Sequence, residues 1–236
     1  MELGEIITDA LSYPFQNIKA LLIYVILGII LGIAVGGTVL GIAAGAATKN
    51  VLAVLGSGTI GIIIALIIGF FITGYQLDII KYGIERSNAG PEIDFVRQFI
   101  NGVKYLVINI VYMIIPIIIS AILAVIFQHW LSGLISMILS IIFGLALMMG
   151  QCRLAKTEDL GYALAIGDAI GDISRVGIVK LIAFIIIIVI IAVVLTVIIG
   201  FIARWNSTIG GILFGILGVY LVFFTGRATG LLYSNV

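Results

Sequence analysis

Long apolar stretches alternate along the chain with short stretches that hold almost all of its charged residues. The apolar stretches cover residues 20–42, 51–73, 105–127, 131–150, 181–203 and 209–230. Each is about as long as the roughly 20 residues that an α-helix needs to cross a hydrocarbon core. The run from Phe184 to Leu195 shows no alternation of apolar with polar residues, as a strand of a transmembrane β-barrel would. The pattern therefore predicts six transmembrane helices.

Composition and charge placement agree with a membrane location. Of the 236 residues, 63% are hydrophobic and 10% are charged, whereas soluble domains carry roughly 25% charged residues. All 11 Asp and Glu residues lie within 1–19, 78–104 and 151–180. Because a charge at the centre of a bilayer is costly, these stretches should lie at the membrane surface. We expect an all-α fold, an integral membrane six-helix bundle.

Most of the basic residues fall on one predicted side of the membrane, opposite Lys49 and Arg204. They are Lys19, Lys81, Arg86, Arg97, Lys104, Arg153, Lys156, Arg175, Lys180 and Arg227. Since Lys and Arg in short loops are retained on the cytoplasmic side, we expect a multipass protein of the cell membrane with both termini cytoplasmic. Acidic residues balance the basic ones on this side, so no nucleic-acid partner is expected.

An internal repeat is indicated by the residues that end every second span. Gly74, Gly150 and Gly226 close the second, fourth and sixth spans and are spaced 76 residues apart. A fixed period is the sequence signature of a repeated unit. We therefore predict three helical hairpins, pseudo-repeats 1–77, 91–153 and 162–230, within a single membrane domain of residues 1–236.

Each predicted hairpin is preceded by a short amphipathic stretch, with apolar residues at helical spacing. The first is expected to end at Tyr13-Pro14, and in the second Pro91 suits a first helical turn. The apolar positions are Leu3, Ile6, Ile7, Ala10 and Leu11, then Phe95, Val96, Phe99, Ile100 and Val103, then Ile166, Ala169, Ile170 and Ile173. Such helices lie in the membrane interface or against the inner rim of the bundle, and periodicity does not separate the two.

Small residues recur at helical spacing on several spans, and transmembrane helices associate through close packing of such residues. The predicted packing positions are Gly28, Gly32, Gly36, Gly61, Gly69, Gly144, Gly211 and Gly215.

Polar residues are rare within the spans, and the clearest group lies on the third. Asn109, Tyr112, Pro116 and Ser120 share one face there, and Pro116 frees a backbone carbonyl one turn earlier. This face is a candidate polar pocket. The alternative is an interhelical hydrogen bond together with a packing kink.

One lysine lies at the start of each odd-numbered span. A Lys side chain can extend along apolar surface to the headgroup level, so Lys19, Lys104 and Lys180 are predicted headgroup contacts. Their role is that of anchors or, as an alternative, of an anion site. Membrane lipids are the expected partners, together with another membrane or cytoplasmic protein at the inner face.

Candidate catalytic and metal-binding residues are few. His129 is the single histidine and Cys152 the single cysteine, so neither a zinc site nor a nucleophile and base pair can be assembled from these residue types. We predict no catalytic residues, no metal and no cofactor.

Several loop and helix segments together resemble one prokaryotic multipass family, known as domain of unknown function 4013. They are Asp9-Ala-Leu-Ser-Tyr-Pro14, Gly74-Tyr-Gln-Leu-Asp-Ile-Ile-Lys81, Gly90-Pro-Glu-Ile-Asp94-Phe, Asn101-Gly-Val-Lys104-Tyr and Tyr112 to Pro116. The resemblance implies a membrane topology. It implies no activity and no site residues.

The expected function is that of a non-enzymatic membrane protein, a scaffold or a lipid- and partner-interacting bundle. The alternative is a permease or channel for a small uncharged or apolar solute that uses the polar face of the third span. A weaker alternative is a membrane enzyme that modifies lipid headgroups through Asp9 and Asp94.

Overall fold

The computed structural model of the chain describes residues 1–126, 130–205 and 207–236, apart from the side chains of residues 207, 208 and 211. Within these ranges the regular structure is entirely α-helical. The helices are α1 (Leu3–Gln16), α2 (Ile18–Ala47), α3 (Val51–Ile84), α4 (Phe95–Ile126), α5 (Trp130–Thr157), α6 (Leu160–Ala163), α7 (Ile166–Val176), α8 (Ile178–Trp205) and α9 (Ser207–Tyr233).

Six of these helices, α2, α3, α4, α5, α8 and α9, are long and apolar enough to cross a membrane. They contain the six predicted spans, except that the third prediction extends to Phe127, which lies outside the described residues. The prediction of an all-α, multipass membrane protein is therefore confirmed. Consecutive spans pack against each other except α5 and α8, and α3 is central because it contacts α2, α4, α5 and α9.

Charged residues and both chain termini gather at one end of the bundle, which we call the charged end. Lys180 Nζ donates to the backbone oxygen of Met1 (3.1 Å), and Arg86 Nε donates to Ser234 Oγ (3.1 Å) near the C-terminus. Most of the buried side chains of α3, α5 and α9 also lie in the halves nearest this end, from Ile68, Leu145 and Leu217 onward. The core is thus concentrated at the charged end.

The first amphipathic stretch forms α1, which packs against α9 and buries Ile6 and Ala10. The predicted end at Tyr13-Pro14 is wrong, because the helix includes Pro14 and continues to Gln16. Pro14 removes only one backbone donor, while the N–H of Asn17 bonds the oxygens of Tyr13 (3.2 Å) and Pro14 (3.3 Å). α2 follows immediately.

The second amphipathic stretch is not a separate helix, which corrects the prediction. Pro91 precedes the helix, and residues from Phe95 onward are the first turns of α4. Asp94 caps this helix, because its Oδ1 accepts the N–H of Arg97 (3.1 Å) and side-chain acceptors stabilise helix starts. No proline interrupts the helix before Pro116, so it continues into the span.

The third amphipathic stretch forms α7, which packs on α5 and buries Ala169 and Ile173. It ends at Gly177, whose φ of 96° is unfavourable for residues with a Cβ. The first and third amphipathic stretches therefore bury apolar side chains against the bundle, whereas the second exposes Val96 and Ile100 and buries Gln98 and Asn101.

The predicted packing glycines fall into two groups. A Cβ on Gly28 would lie 2.6 Å from Val219 Cγ2, and one on Gly61 would overlap Thr38, so α2 approaches α9 and α3 closely at these points; Gly215 faces Gly28 across ordinary contact distances. Open space surrounds the Cβ positions of Gly32, Gly36, Gly69 and Gly144. The surroundings of Gly211 lie outside the described part of the structure.

The closest helix contacts of the charged end involve other glycines. A Cβ on Gly74 would overlap the backbone oxygen of Gln98, one on Gly102 that of Phe70, and one on Gly230 that of Ile80. These glycines bring α4 and α9 against α3.

Candidate functional site

Four charged side chains are buried at the charged end. Asp78, Arg153, Asp172 and Arg227 are 2%, 2%, 0% and 1% exposed. A buried charge is costly unless it is paired and hydrogen-bonded, so their surroundings decide what this end of the protein can do.

Arg227 on α9 binds α1 and the segment after α3. Its Nε donates to Asp9 Oδ1 (2.7 Å), and its two terminal nitrogens donate to Asp9 Oδ2 (3.3 Å), Asn88 Oδ1 (2.9 Å) and the backbone oxygens of Ser87 (2.5 Å) and Tyr82 (3.4 Å). All five N–H donors of a guanidinium are thereby used. We call this the α1–α9 cluster.

Tyr13 lies beside the α1–α9 cluster, with its ring centroid 4.8 Å from the guanidinium carbon of Arg227. Burial raises the pKa of its phenol to about 12, although the charge of Arg227 opposes this. The phenol therefore stays protonated at neutral pH and donates to the backbone oxygen of Ala89 (3.3 Å).

Arg153 on α5 and Asp172 on α7 form the second buried pair, at 3.2 Å from Nη1 to Oδ2. Arg153 also donates to Asp168 Oδ2 (3.1 Å) and to the backbone oxygen of Tyr162 (3.0 Å). Asp172 accepts in addition from Tyr233 of α9 (2.7 Å) and from Arg175 (3.0 Å). This α5–α7 cluster therefore joins four helices, α5, α6, α7 and α9.

Asp78 on α3 is the centre of the third group, the α3–α4 cluster. Its Oδ2 accepts from Arg97 Nη2 (3.0 Å) and from Gln98 Nε2 (3.0 Å). The buried Gln98 in turn accepts from the hydroxyl of Tyr24 on α2 (2.6 Å), and the ring of Tyr24 stacks on that of Tyr75 at 4.2 Å between centroids. The cluster connects α2, α3 and α4.

The three clusters share one arrangement, in which the charged end of α3, α5 or α9 pairs with an amphipathic segment. Asp78 and Arg97 are separated by 19 residues, as are Arg153 and Asp172, with the signs reversed. In the described residues, every buried side-chain nitrogen or oxygen has a hydrogen-bond partner. The clusters therefore link the spans to the amphipathic segments at the charged end.

A surface pocket of about 300 Å³ lies beside the α3–α4 cluster, at the turn between α5 and α6. Glu158 occupies this turn with a φ of 57°. Its carboxylate accepts from Lys81 Nζ (3.3 Å) and lies 3.6 Å from Arg97 Nη1. Lys104 Nζ donates to the backbone oxygen of Glu158 (2.7 Å). Two basic residues, Arg97 and Lys104, and two carboxylates, those of Asp94 and Glu158, therefore line this pocket.

The residues of the predicted polar face of the third span lie in two different environments. Asn109 lines a groove of about 330 Å³ between α3 and α4, where its amide donates to the backbone oxygen of Tyr105 (2.7 Å). Tyr112 is buried on another side, and its hydroxyl donates to the backbone oxygen of Ala163 (2.8 Å). Pro116 is buried and Ser120 is half-buried. A common pocket for all four residues stays a prediction.

The three predicted headgroup lysines differ in their contacts. Lys19 is exposed beside a pocket between α1, α2 and residues 90–93. Lys180 bonds the backbone oxygen of Met1. Lys104 lies beside a second basic side chain, Arg97, in the pocket at the turn between α5 and α6.

Sequence patterns missed the burial of the paired charges. Charge placement predicts Asp172 at the membrane surface, but it does not indicate that Arg153 and Tyr233 enclose this side chain. A usable signal was present, since Asp78, Arg153 and Arg227 follow Gly74, Gly150 and Gly226 within four residues on helices that continue past the predicted spans.

Other candidate chemistry is limited. Cys152 is buried, and no group of three His, Cys, Asp or Glu residues within the described ranges is placed to hold a metal ion. His129 lies outside these ranges.

Comparison with known proteins gives one result. A family model described as "Protein of unknown function (DUF4013)" matches residues 58–204. The match includes the ion pairs Asp78–Arg97 and Arg153–Asp172, and it leaves α1 and α9 outside. No curated protein and no solved structure matches the chain.

Proposed function

The chain belongs to the DUF4013 family of proteins of unknown function, and we propose that it is a non-enzymatic membrane scaffold whose charged end binds lipids or a partner protein. The observation that carries this proposal is the complete internal pairing of the buried charges of the charged end. Catalytic sites keep polar groups directed at a reacting atom, whereas the three clusters direct theirs at the chain itself.

The charged end is suited to contact because the clusters fix its shape. Each cluster ties an amphipathic segment to a span, so the surface is assembled before a partner arrives, and preorganisation favours binding. Exposed charges that are not part of the clusters, such as Glu85 and Lys156, remain at this end. We propose that this end faces the cytoplasm of the cell membrane, from the placement of the basic residues.

A detergent-free purification tests the proposal. The full chain is extracted in polymer-bounded lipid discs from cells that make it naturally, and co-purifying proteins and lipids are quantified. We expect one protein at near-stoichiometric amount, or a lipid class enriched over the bulk membrane. The charge reversal Glu85→Lys, at the charged end, should reduce that enrichment.

Lys49→Glu is the matched control, because Lys49 is an exposed charge at the opposite end of the bundle. It should leave the enrichment unchanged. Equal loss in both variants, or discs with bulk lipid composition and no stoichiometric protein, would overturn the scaffold proposal.

A permease for a small uncharged or apolar solute is the second candidate. The groove between α3 and α4 supports it, because its lining is apolar apart from Thr73, Tyr105 and Asn109. If purified protein in proteoliposomes carries a solute flux, Asn109→Ala should abolish it.

Modification of lipid headgroups by Asp9 and Asp94 has less support, since Asp9 pairs with Arg227 and Asp94 caps α4.

A further inference from the structure

We propose that the pocket beside the α3–α4 cluster binds the phosphate of an anionic membrane phospholipid, with Lys104 and Arg97 as the basic residues. The proposal deepens the lipid contact in the proposed function and rests on it, while a protein partner elsewhere on the charged end would not be affected by its failure.

The depth of the pocket follows from the length of α4. Its 32 residues extend over about 48 Å, whereas the hydrocarbon core is about 30 Å thick and takes about 20 residues. If Ile126 lies near the far surface, the first turns of α4 lie at the level of the headgroups. Arg97 and Lys104 are in these turns.

The pocket is lined by the basic residues Arg97 and Lys104 and by the carboxylates of Asp94 and Glu158. Lys81 and Arg97 offset the charge of Glu158. Arg97 pairs with the buried Asp78 and lies near Glu158, so its position is fixed. Lys104 is half-buried, and its ammonium donates to the backbone oxygen of Glu158, a bond that leaves its charge unneutralised. An ammonium has three donors, and two remain for phosphate oxygens.

Apolar residues of α4 continue from the pocket into the membrane. Val96 and Ile100 line the pocket and are 73% and 50% exposed. Below them Val103, Ile110 and Ile114 are exposed at helical spacing on the same side. A phospholipid has its charge above its acyl chains, and this surface has its basic residues directly above a lipid-facing apolar stripe.

The other two headgroup lysines provide the contrast. Lys19 and Lys180 also precede exposed apolar residues, but neither shares a pocket with a second basic side chain in the described contacts. Lys19 and Lys180 are therefore suited to act as separate membrane anchors. Lys104 and Arg97 together are suited to a site that selects anionic over zwitterionic lipid.

Native mass spectrometry of the full chain tests this. Protein in detergent micelles is titrated with phosphatidylglycerol or phosphatidylcholine, and the affinity ratio for the first bound lipid is measured. We expect a preference for phosphatidylglycerol that Lys104→Met lowers about fivefold, because one basic residue near a membrane surface contributes that much. Met keeps an apolar chain and removes the charge.

Lys180→Met should keep the preference, and Lys104→Arg should restore it. Adding salt should weaken it, because exposed charges are screened. An unchanged preference in Lys104→Met, or an equal loss in Lys180→Met, would overturn the site. Displacement of the lipid by millimolar glycerol phosphate would also overturn it, because the acyl contacts would then contribute nothing.

Discussion

At the scale of single residues, the guanidinium of Arg227 determines how α1 is held. Its planar group donates in three directions, to a carboxylate, to a side-chain amide and to two backbone oxygens. Lysine has three donors around one nitrogen and cannot reproduce this geometry. The residue therefore acts as a junction between α1, α9 and the segment after α3.

Replacing Arg227 by Gln should lower the free energy of unfolding by about 3 kcal/mol, measured by reversible unfolding in mixed micelles. Breaking a buried ion pair costs about 3 to 5 kcal/mol because the remaining partner is left unpaired. The lower value is expected because the side chain of Asp9 is 32% exposed, and water can solvate part of its charge.

Arg86→Gln is the matched control for Arg227→Gln. Arg86 is exposed and bonds Ser234 and Asn235 on the surface, and surface substitutions of this kind change stability by less than about 0.5 kcal/mol. Equal effects of the two substitutions would contradict the structural role of the α1–α9 cluster.

The pairing partners of these residues could not be predicted from the sequence. The cost of burying a charge in lipid predicts Asp9 and Arg227 at the membrane surface, and it goes no further. Their contact joins residues separated by 218 positions, so it depends on how α1 and α9 meet in three dimensions. The local periodicity of the sequence contains no information about the contact between α1 and α9.

At the scale of helices, the approach of α3 to α4 depends on glycine. The backbone of Gln98 occupies the place where a side chain of Gly74 would be. Asp78 lies one turn after Gly74, and its side chain pairs with that of Arg97, the neighbour of Gln98. Close backbone contact and ion pairing therefore support each other at this crossing.

Gly74→Ala should destabilise the protein by about 1 to 3 kcal/mol, the usual cost of adding an atom to a packed contact. The added methyl group must move α4 away from α3. Thermal unfolding in detergent would measure the loss of stability. Reduced protection of the Gln98 amide in hydrogen exchange would show that the loss arises at the contact between α3 and α4.

Gly144→Ala is the comparison for Gly74→Ala. A Cβ at Gly144 meets no atom within 4 Å, and alanine has the higher helix propensity by about 1 kcal/mol. We expect unchanged or slightly raised stability. A loss at Gly144 that equals the loss at Gly74 would show that the two contacts have been assigned wrongly.

Helix existence was predictable here, whereas helix boundaries and contact faces were not. Bilayer thickness fixes the length of a span, which is why all six spans were found. Nothing comparable fixes where the amphipathic part of α4 stops, since no residue interrupts the helix at Val103 or Lys104. Small residues at every fourth position show which face of a helix is smooth. They do not show whether another helix or lipid covers that face.

At the scale of the whole molecule, the interior is packed most tightly at the charged end. The three clusters and the buried aromatic residues Tyr24, Tyr75 and Phe223 lie there, while the opposite halves of α2, α3 and α8 expose many apolar side chains. An even number of spans places both chain termini at this same end. The orientation of the molecule therefore decides which side of the membrane receives the rigid surface.

Cysteine labelling tests the proposed orientation. Asn235 is exposed at the charged end and Thr48 at the opposite end, while the natural Cys152 is buried and should contribute little background. In intact cells a membrane-impermeant maleimide should label Thr48→Cys and leave Asn235→Cys unlabelled. After permeabilisation both should react.

The reverse pattern would place the charged end outside, and the proposed cytoplasmic partner would then be replaced by an external one. Labelling of both variants in intact cells would contradict the placement of these positions on opposite sides of the membrane, because only residues on the outer side are accessible to the reagent.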